Sequence, residues 1–281
     1  NQTKFIYDHK FDFSFLEIVR EYIQNNYQIF QNIPYIKIFY NCVMLFKTGE
    51  KKYFDELKIE IKKHYKLLTD TDRKNMFMVL TNHCYSEVKK GKYEFYRENF
   101  NIYKELLKTR AYLEGNDFMA HYIYQAIVQN ALATGEYEWA EKFIHRYKKI
   151  LHMDFQENSY NYCLTQLYLK QKNFDSALIS LSKVKPIDIN FKLNINVTLL
   201  TIYYCRNDNE SFHSLIDSFR HFLKRNKNIR KEDLLLNNNF TIHIKKLSGL
   251  KNRKNVNDNS GLAIFKKEIE NCANVFSKRW F

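Results

Sequence analysis

The sequence contains little glycine and proline, with six glycines and two prolines in 281 residues. A β-rich protein of this size needs many turn residues, and a loop that cradles phosphate needs closely spaced glycines. The scarcity therefore excludes an extensive β-structure and a glycine-rich nucleotide loop. Hydrophobic residues make up 45% of the chain and aromatic residues 16%. This composition supplies a large core and argues against intrinsic disorder, so we predict helices joined by short connections.

The sequence also has no Cys-x-x-Cys motif and no apolar run of about 18 residues, the length needed to span a membrane. Its five cysteines are odd in number and widely spread, which argues against a disulfide framework and for a reducing compartment. No signal peptide is visible, so we predict a cytoplasmic protein. The chain begins at Asn1 rather than at methionine. We therefore expect it to be part of a longer protein, and any targeting segment would precede Asn1.

Acidic residues are scarce in the C-terminal quarter of the chain. The net charge of the whole chain is +14, and residues 220–281 contribute 15 basic and 5 acidic residues, a net charge of +10. The first 219 residues are close to neutral by comparison. The basic character is therefore a local property, which is typical of a surface that meets a polyanion.

Motifs for metal binding and catalysis are sparse. His213, Asp217 and His221 recur every four residues, so a helix would spread them over about 12 Å, too far for one metal ion. Residues 86–89 fit Ser-x-x-Lys and residues 47–49 fit Lys-Thr-Gly, but Ser-Asp-Asn is absent and the order is reversed. We interpret the histidines as an exposed polar face and both motifs as coincidence. No catalysis, metal or cofactor is predicted.

A degenerate motif recurs along the chain. Residues 135–140 read Gly-Glu-Tyr-Glu-Trp-Ala, and related stretches begin at positions 49, 91, 172 and 207. The intervals are 42, 44, 37 and 35 residues, and a period in this range indicates stacked helical pairs. Glycine suits the turn, the acids suit the start of the next helix, and alanine allows close helix packing.

The flanking segments support this interpretation. After the motif, apolar positions 137, 140, 144, 147 and 151 form one helical stripe. Before it, apolar residues from Phe118 to Leu132 cover much of a helix circumference, as in a helix packed on two sides.

The motif resembles the turn of the tetratricopeptide (TPR) repeat, most closely over residues 121–186, where Ala140 and Ala177 match the small position of the second helix. Most intervals exceed the TPR period of about 34 residues, and most repeats lack the closing proline. The resemblance implies an all-α, right-handed solenoid of five to six antiparallel helix pairs in one domain. Residues 1–33 would end a preceding repeat, residues 34–230 would form the TPR-like repeats, and residues 231–281 would form a basic capping pair.

Both ends of the array are predicted in more detail. The N-terminal part would form a helix over residues 13–30 that ends at Pro34. The capping pair would consist of a helix over residues 234–247, a polar, basic loop over residues 248–261, and a closing helix. The apolar stripe of that closing helix would contain Phe265, Ile269, Cys272 and Phe276.

In TPR-like arrays, exposed positions of each first helix line a concave groove, and the resemblance carries these positions over to nine residues. They are Thr81, Tyr85, Lys89, Tyr122, Gln125, Gln129, Tyr162, Gln166 and Lys170. Amide groups interleaved with tyrosines suit an extended peptide. The leading expectation is a non-catalytic interaction scaffold that binds a peptide or partner segment in this groove.

The basic quarter supplies a second candidate surface. Its predicted patch contains Lys224, Arg225, Lys227, Arg230, Lys231, Lys251, Arg253 and Lys254. Lys278, Arg279 and the aromatic residues Trp280 and Phe281 follow at the end of the chain. These groups fit a nucleic acid, an anionic membrane surface or an acidic protein. A nucleic-acid-binding or regulatory module is therefore the alternative to the scaffold, and an enzyme is the third possibility.

Overall fold

The computed structural model of the chain describes residues 14–30, 32–114, 118–252 and 259–272. These residues are almost entirely helical, which confirms the all-α class. The chain divides into two compact units, Asn1–Gln156 and Glu157–Phe281, and the boundary falls inside one helix. No helix in the described ranges combines the length and the apolar character required to cross a membrane.

The first unit contains eight helices among its described residues, together with the start of a ninth. They are α1 (Ser14–Asn25), α2 (Tyr27–Phe30), α3 (Pro34–Thr48), α4 (Lys51–Lys63), α5 (Asp70–Lys89), α6 (Phe95–Lys108), α7 (His121–Ala133), α8 (Tyr137–Tyr147) and α9 (Met153–Lys170). Single 3₁₀ turns, Tyr65–Leu67 and Lys148–Ile150, follow α4 and α8.

The second unit contains the rest of α9 and five further helices among its described residues. They are α10 (Phe174–Ser182), α11 (Ile189–Arg206), α12 (Asn209–Arg225), α13 (Lys231–Asn252) and α14 (Asn259–Asn271).

Local chemistry sets several helix boundaries. Pro34 begins α3, where its missing N–H costs no intrahelical hydrogen bond. Thr69 and Asp72 form a reciprocal capping box at the start of α5. The side chains of Asp188 and Asp208 accept hydrogen bonds from backbone N–H groups in the first turns of α11 and α12.

The five predicted turn positions have left-handed backbone conformations. The φ angles are +66° at Gly49, +90° at Gly91, +80° at Gly135, +59° at Lys172 and +57° at Asn207. A left-handed residue closes a helix because its N–H can bond back to the preceding turn, as Gly49 does to the carbonyl oxygen of Leu45 at 2.9 Å. The predicted turns are therefore confirmed.

Four of these turns join helices that contact each other: α3 with α4, α5 with α6, α7 with α8, and α11 with α12. Within the first unit, α3 and α4 also contact α5, and α6 contacts α7. Within the second unit, α13 packs on both α11 and α12. The solenoid with regular TPR-like pairing stays a prediction.

Three predicted boundaries are wrong. Phe118 and Met119 do not begin a helix, because they form a strand, β2 (Phe118–Met119), that pairs antiparallel with β1 (Leu113–Glu114). Met119 is 1% exposed and bridges to Leu151, so tertiary packing overrides the helical periodicity. The N-terminal helix is interrupted between α1 and α2.

The third difference concerns the predicted loop over residues 248–261. Helix α13 continues to Asn252, because Ser248 remains buried and extends the inward stripe that contains Phe240 and Ile244. Helix α14 already begins at Asn259. Lys251 therefore lies on a helix, whereas Arg253 and Lys254 lie outside the described residues, as do Phe276 and residues 278–281.

The cysteine thiols are free, and each is buried or half-buried. Burial raises the pKa of Cys42 to about 11, and it also raises the pKa values of Cys84 and Cys163. These three side chains are therefore neutral thiols at pH 7 and behave as small core residues.

Candidate functional site

The first unit contains a cleft of about 420 Å³ between the C-terminal end of α3 and one face of α5. The wall from α3 exists because Gly49 ends that helix and turns the chain toward α4. The wall from α5 is a stripe of side chains that recur every three or four residues, so they share one face of the helix. A larger open depression of about 740 Å³ is lined by α8 alone and has no second wall.

The cleft combines an apolar floor with hydrogen-bonding groups. Leu45, Phe46, Met78 and Val79 supply the apolar surface. The polar groups come from Thr48, Asn75, Asn82, His83, Ser86 and Glu87, and the cations from Lys47 and Lys90. An apolar floor with a few polar groups is the usual composition of a ligand-binding site.

His83 lies on the inner side of the cleft and is 7% exposed. Its ring packs against those of Phe54 and Phe95, with centroid distances of 4.8 and 5.7 Å. Burial lowers its pKa, so the imidazole is neutral at pH 7. Its Nε2 atom has no hydrogen-bonding partner among the described residues. A neutral ring nitrogen in this position can donate or accept one hydrogen bond, depending on its tautomer.

Glu87 is 3% exposed, and two lysines hold its carboxylate. Lys90 donates to Oε1 at 2.6 Å, and Lys92 donates to Oε2. These hydrogen bonds lower the pKa of Glu87 to about 2, so the carboxylate is charged at neutral pH. The two cations outnumber the acid. The cleft is therefore net positive.

None of the nine predicted groove residues lines this cleft. Thr81, Tyr85 and Lys89 lie on α5, but each is one residue away from the stripe of Asn82, Ser86 and Lys90. One residue corresponds to a rotation of about 100° on a helix. Tyr85 is 51% exposed, and the Lys89 ammonium lies 4.7 Å from its ring centroid.

The predicted groove residues nearest α6 and α7 are partly structural. Thr81 hydrogen-bonds with the buried Tyr103, whose pKa is raised by burial. Tyr122 also lies close enough to Tyr103 to influence it electrostatically. Gln125 is half-buried and Gln129 is exposed on the same helix. The structure therefore brings Thr81 and Tyr122 together around one tyrosine.

The other three predicted groove residues belong to the second unit. Tyr162 packs on Phe191 at a centroid distance of 5.0 Å and hydrogen-bonds with Thr198, and burial raises its pKa. Gln166 is half-buried and Lys170 is exposed on the same helix, α9. Tyr162 thus has a packing role between α9 and α11.

The structure brings together part of the predicted basic patch. Lys224 and Arg225 end α12, Lys231 begins α13, and Lys227 lies between them. Arg230 pairs with Asp233.

Lys251 lies elsewhere in the second unit. Its Nζ atom is 4.6 Å from the ring centroid of Tyr204, near the end of α11. Phe222, in the last turn of α12, instead contacts Lys192, near the start of α11. Lys192 and Tyr204 are 12 residues apart, which corresponds to about 18 Å along a helix.

The described residues contain no group of three or more His, Cys, Asp or Glu side chains that could hold a metal ion. His213, Asp217 and His221 are exposed on α12.

Sequence reasoning missed Asn75, Asn82, His83 and Ser86 as cleft residues. A usable signal was present, since these four polar residues interrupt the apolar positions of α5 at helical spacing. Comparison of the chain with protein families, with curated proteins and with solved structures finds no match. The site must therefore be interpreted from its own geometry.

Proposed function

We propose that the protein is a non-catalytic interaction module that binds an extended peptide segment of a partner protein in the cleft between α3 and α5. The observation that carries the proposal is the composition of this cleft. Its apolar floor can bury one side chain, and amide and hydroxyl groups along α5 can bond the peptide backbone.

The electrostatics of the cleft favour a peptide with an acidic residue beside its apolar anchor. Lys47 and Lys90 line the cleft, and Lys92 reaches the same carboxylate as Lys90. The Glu87 carboxylate offsets one of the two charges on Lys90 and Lys92. An acidic side chain on the peptide would meet the remaining positive charge and increase the rate of association.

The ionisable groups support binding rather than catalysis. Glu87 has a pKa of about 2 and is bound by lysines, so it is a poor proton acceptor near neutral pH. The His83 ring packs against two phenylalanine rings, and burial lowers its pKa although the Glu87 carboxylate acts in the opposite direction. The buried thiols Cys84 and Cys163 have raised pKa values and are therefore weak nucleophiles.

A selection from a library of random peptides tests this proposal. The complete chain would be the bait, and selected peptides would be measured by isothermal titration calorimetry against the wild type and a Ser86→Arg variant. The long arginine side chain would fill the cleft while preserving a good helix former. We expect selected peptides to contain an acidic residue next to an aliphatic or aromatic one, and to lose affinity for Ser86→Arg at least about ten-fold.

A matched control is Ile59→Arg, which adds the same side chain at a position on α4 that is 62% exposed and outside the cleft. This variant should bind the selected peptides as the wild type does. Equal loss of affinity in both variants, or unchanged affinity in Ser86→Arg, would remove the cleft as the binding site.

The nucleic-acid alternative rests on cations of the second unit, which do not line the cleft. The described members of the predicted patch lie near opposite ends of α11. Lys251 contacts Tyr204 near the end of that helix, whereas Lys224 follows Phe222, which contacts Lys192 near its start. No observation on these residues favours a nucleic acid over another polyanion, so it is not advanced as a second function.

A further inference from the structure

The loop between α10 and α11 presents an exposed apolar tip on a fixed base. Asn158 clamps the backbone of Lys185 from both sides, donating to its carbonyl oxygen at 2.6 Å and accepting from its N–H at 2.7 Å. Val184 is buried before this clamp, and Asp188 caps α11 after it. Between these anchors Pro186 is exposed, and Ile187 is 46% exposed.

Basic residues surround this tip. Lys183 and Lys185 belong to the loop itself, and Lys192 follows in the first turn of α11. The Lys192 ammonium lies 4.6 Å from the ring centroid of Phe222, which brings the end of α12 beside the start of α11. The end of α12 and the link to α13 then add further exposed cations: Lys224, Arg225, Lys227 and Lys231.

Most of these cations are not neutralised within the protein. Among the described residues, Lys183, Lys185, Lys224, Arg225, Lys227 and Lys231 have no carboxylate within ion-pair distance. Three acids are near these cations in the sequence, and one of them, Glu232, follows Lys231 in the first turn of α13. Asp188 accepts the N–H of Phe191 at the start of α11, and Asp233 pairs with Arg230. This end of the second unit, defined by the loop 183–188 and the cations named above, is called the cationic end.

We propose that the cationic end docks reversibly on a membrane surface that contains anionic lipids, with Ile187 entering the boundary between headgroups and acyl chains. Clustered lysines and arginines attract anionic headgroups, and one apolar insertion adds the second signal that stable docking needs. A nucleic acid would use the cations but not the tip. Proline and isoleucine offer no aromatic plane on which a base could stack.

Vesicle co-sedimentation of the complete chain tests the proposal. One set of vesicles would contain phosphatidylcholine alone and the other phosphatidylcholine with about one third phosphatidylserine. We expect binding to the anionic vesicles at least about ten-fold tighter than to the neutral ones, with loss of binding as salt rises from about 0.05 to 0.5 M, since the ions screen the headgroup charge.

Two variants separate the charge from the apolar tip. Each basic residue near the surface strengthens binding by about five-fold, so the combined variant Lys224→Gln, Arg225→Gln and Lys227→Gln should lose about 100-fold. Ile187→Ser should lose about three- to ten-fold, because a partly exposed isoleucine no longer enters the boundary region. Exposed sites on α13 and α14 supply matched controls: Ile242→Ser, and Lys245→Gln with Lys266→Gln and Lys267→Gln.

The controls should retain wild-type binding to the anionic vesicles. A second measurement tests binding of a single-stranded RNA homopolymer at the same salt concentration. The proposal would be overturned in favour of a nucleic acid if wild type and Ile187→Ser bound this RNA with equal affinity and the protein showed no preference for anionic vesicles. Equal binding of wild type and combined variant to the anionic vesicles would overturn it as well. Both outcomes are independent of peptide binding in the first unit.

Discussion

At the scale of single residues, His83 links the cleft to the stability of the first unit. Burial against Phe54 and Phe95 lowers its pKa, so the unfolded chain takes up a proton at a higher pH than the folded protein does. The stability from the neutral imidazole is therefore complete above the ordinary value of about 6.5 and is lost as the pH falls through the lowered value.

We expect the wild type to lose free energy of unfolding between pH 7.5 and 5.5, and His83→Phe to lose less, because the phenylalanine ring has no proton to bind. Burial also lowers the pKa of His243 in the second unit, so part of the dependence should remain. Urea unfolding at several pH values measures this. As a control, His221→Phe at an exposed site should show the same pH dependence as the wild type. Identical pH profiles for His83→Phe and the wild type would contradict the contribution of His83 to the pH dependence of stability.

Glu87 provides a second test at this scale. Its buried carboxylate accepts charge-assisted hydrogen bonds from Lys90 and Lys92, whereas the Glu105–Lys108 pair is exposed. Glu87→Gln should lower the free energy of unfolding by about 1–3 kcal/mol, and Glu105→Gln by less than about 0.5 kcal/mol. Denaturant titrations at pH 7 compare the two. An equal effect of both substitutions would show that the hydrogen bonds from Lys90 and Lys92 to Glu87 add no stability.

The contribution of Glu87 to stability should decrease at acidic pH. Because the folded pKa of Glu87 is about 2, below the ordinary value of 4.5, its contribution is complete above pH 4.5. It is then lost as the pH falls from 4.5 toward 2. Glu87→Gln should therefore reduce the loss of stability of the wild type in that interval.

At the scale of elements, the turns could be predicted from the sequence because their conformation depends on local residues. Three of the five left-handed positions are glycine and one is asparagine, and these residues favour that conformation through local sterics, whereas Lys172 was indicated by its place in the recurring motif. Strand β2 was not predictable in this way. Phe118 and Met119 fit a helical pattern, and their conformation depends on pairing with Leu113 and burial against Leu151.

The continuation of α13 past Leu247 has a similar explanation. Serine and glycine at 248 and 249 are typical of a loop, yet Ser248 packs inward and the helix persists to Asn252. The residues of α5 that line the cleft were not predicted, for a related reason. Fold resemblance sets a position to within a residue or two, and a shift of one residue rotates a side chain by about 100°.

The turns also supply a matched pair of substitutions. A methyl group at Gly135 would meet no atom within 4 Å, so Gly135→Ala strains only the backbone and should cost about 1 kcal/mol. Lys172 adopts φ +59° without being glycine, so Lys172→Gly should raise the free energy of unfolding by about 0.5 kcal/mol. Thermal and urea unfolding measure both. Effects of the same sign would contradict the assignment of both residues as left-handed helix ends.

At the scale of the whole molecule, the two units have their own cores and their own candidate surfaces. The second unit buries Phe212, Phe219 and Phe240 in one cluster, and the cations of its cationic end lie near the start of α11. The first unit contains the cleft, with its single buried acid and surrounding lysines. Composition assigns most of the excess charge to the last quarter of the sequence, whereas Lys183, Lys185 and Lys192 of the cationic end precede that quarter. It could not locate the cleft, because a cleft depends on how two distant helix faces meet.

The central claim is that a peptide binds between α3 and α5, and methyl NMR tests it most directly. The complete chain would carry labelled methyl groups on Met, Val, Leu and Ile, and a peptide from the library selection would be titrated into it. We predict shifts of the Met78, Val79 and Leu45 methyl resonances, with Leu200 and Ile216 in the core of the second unit unchanged. Saturable binding that leaves Met78, Val79 and Leu45 unshifted would contradict the account.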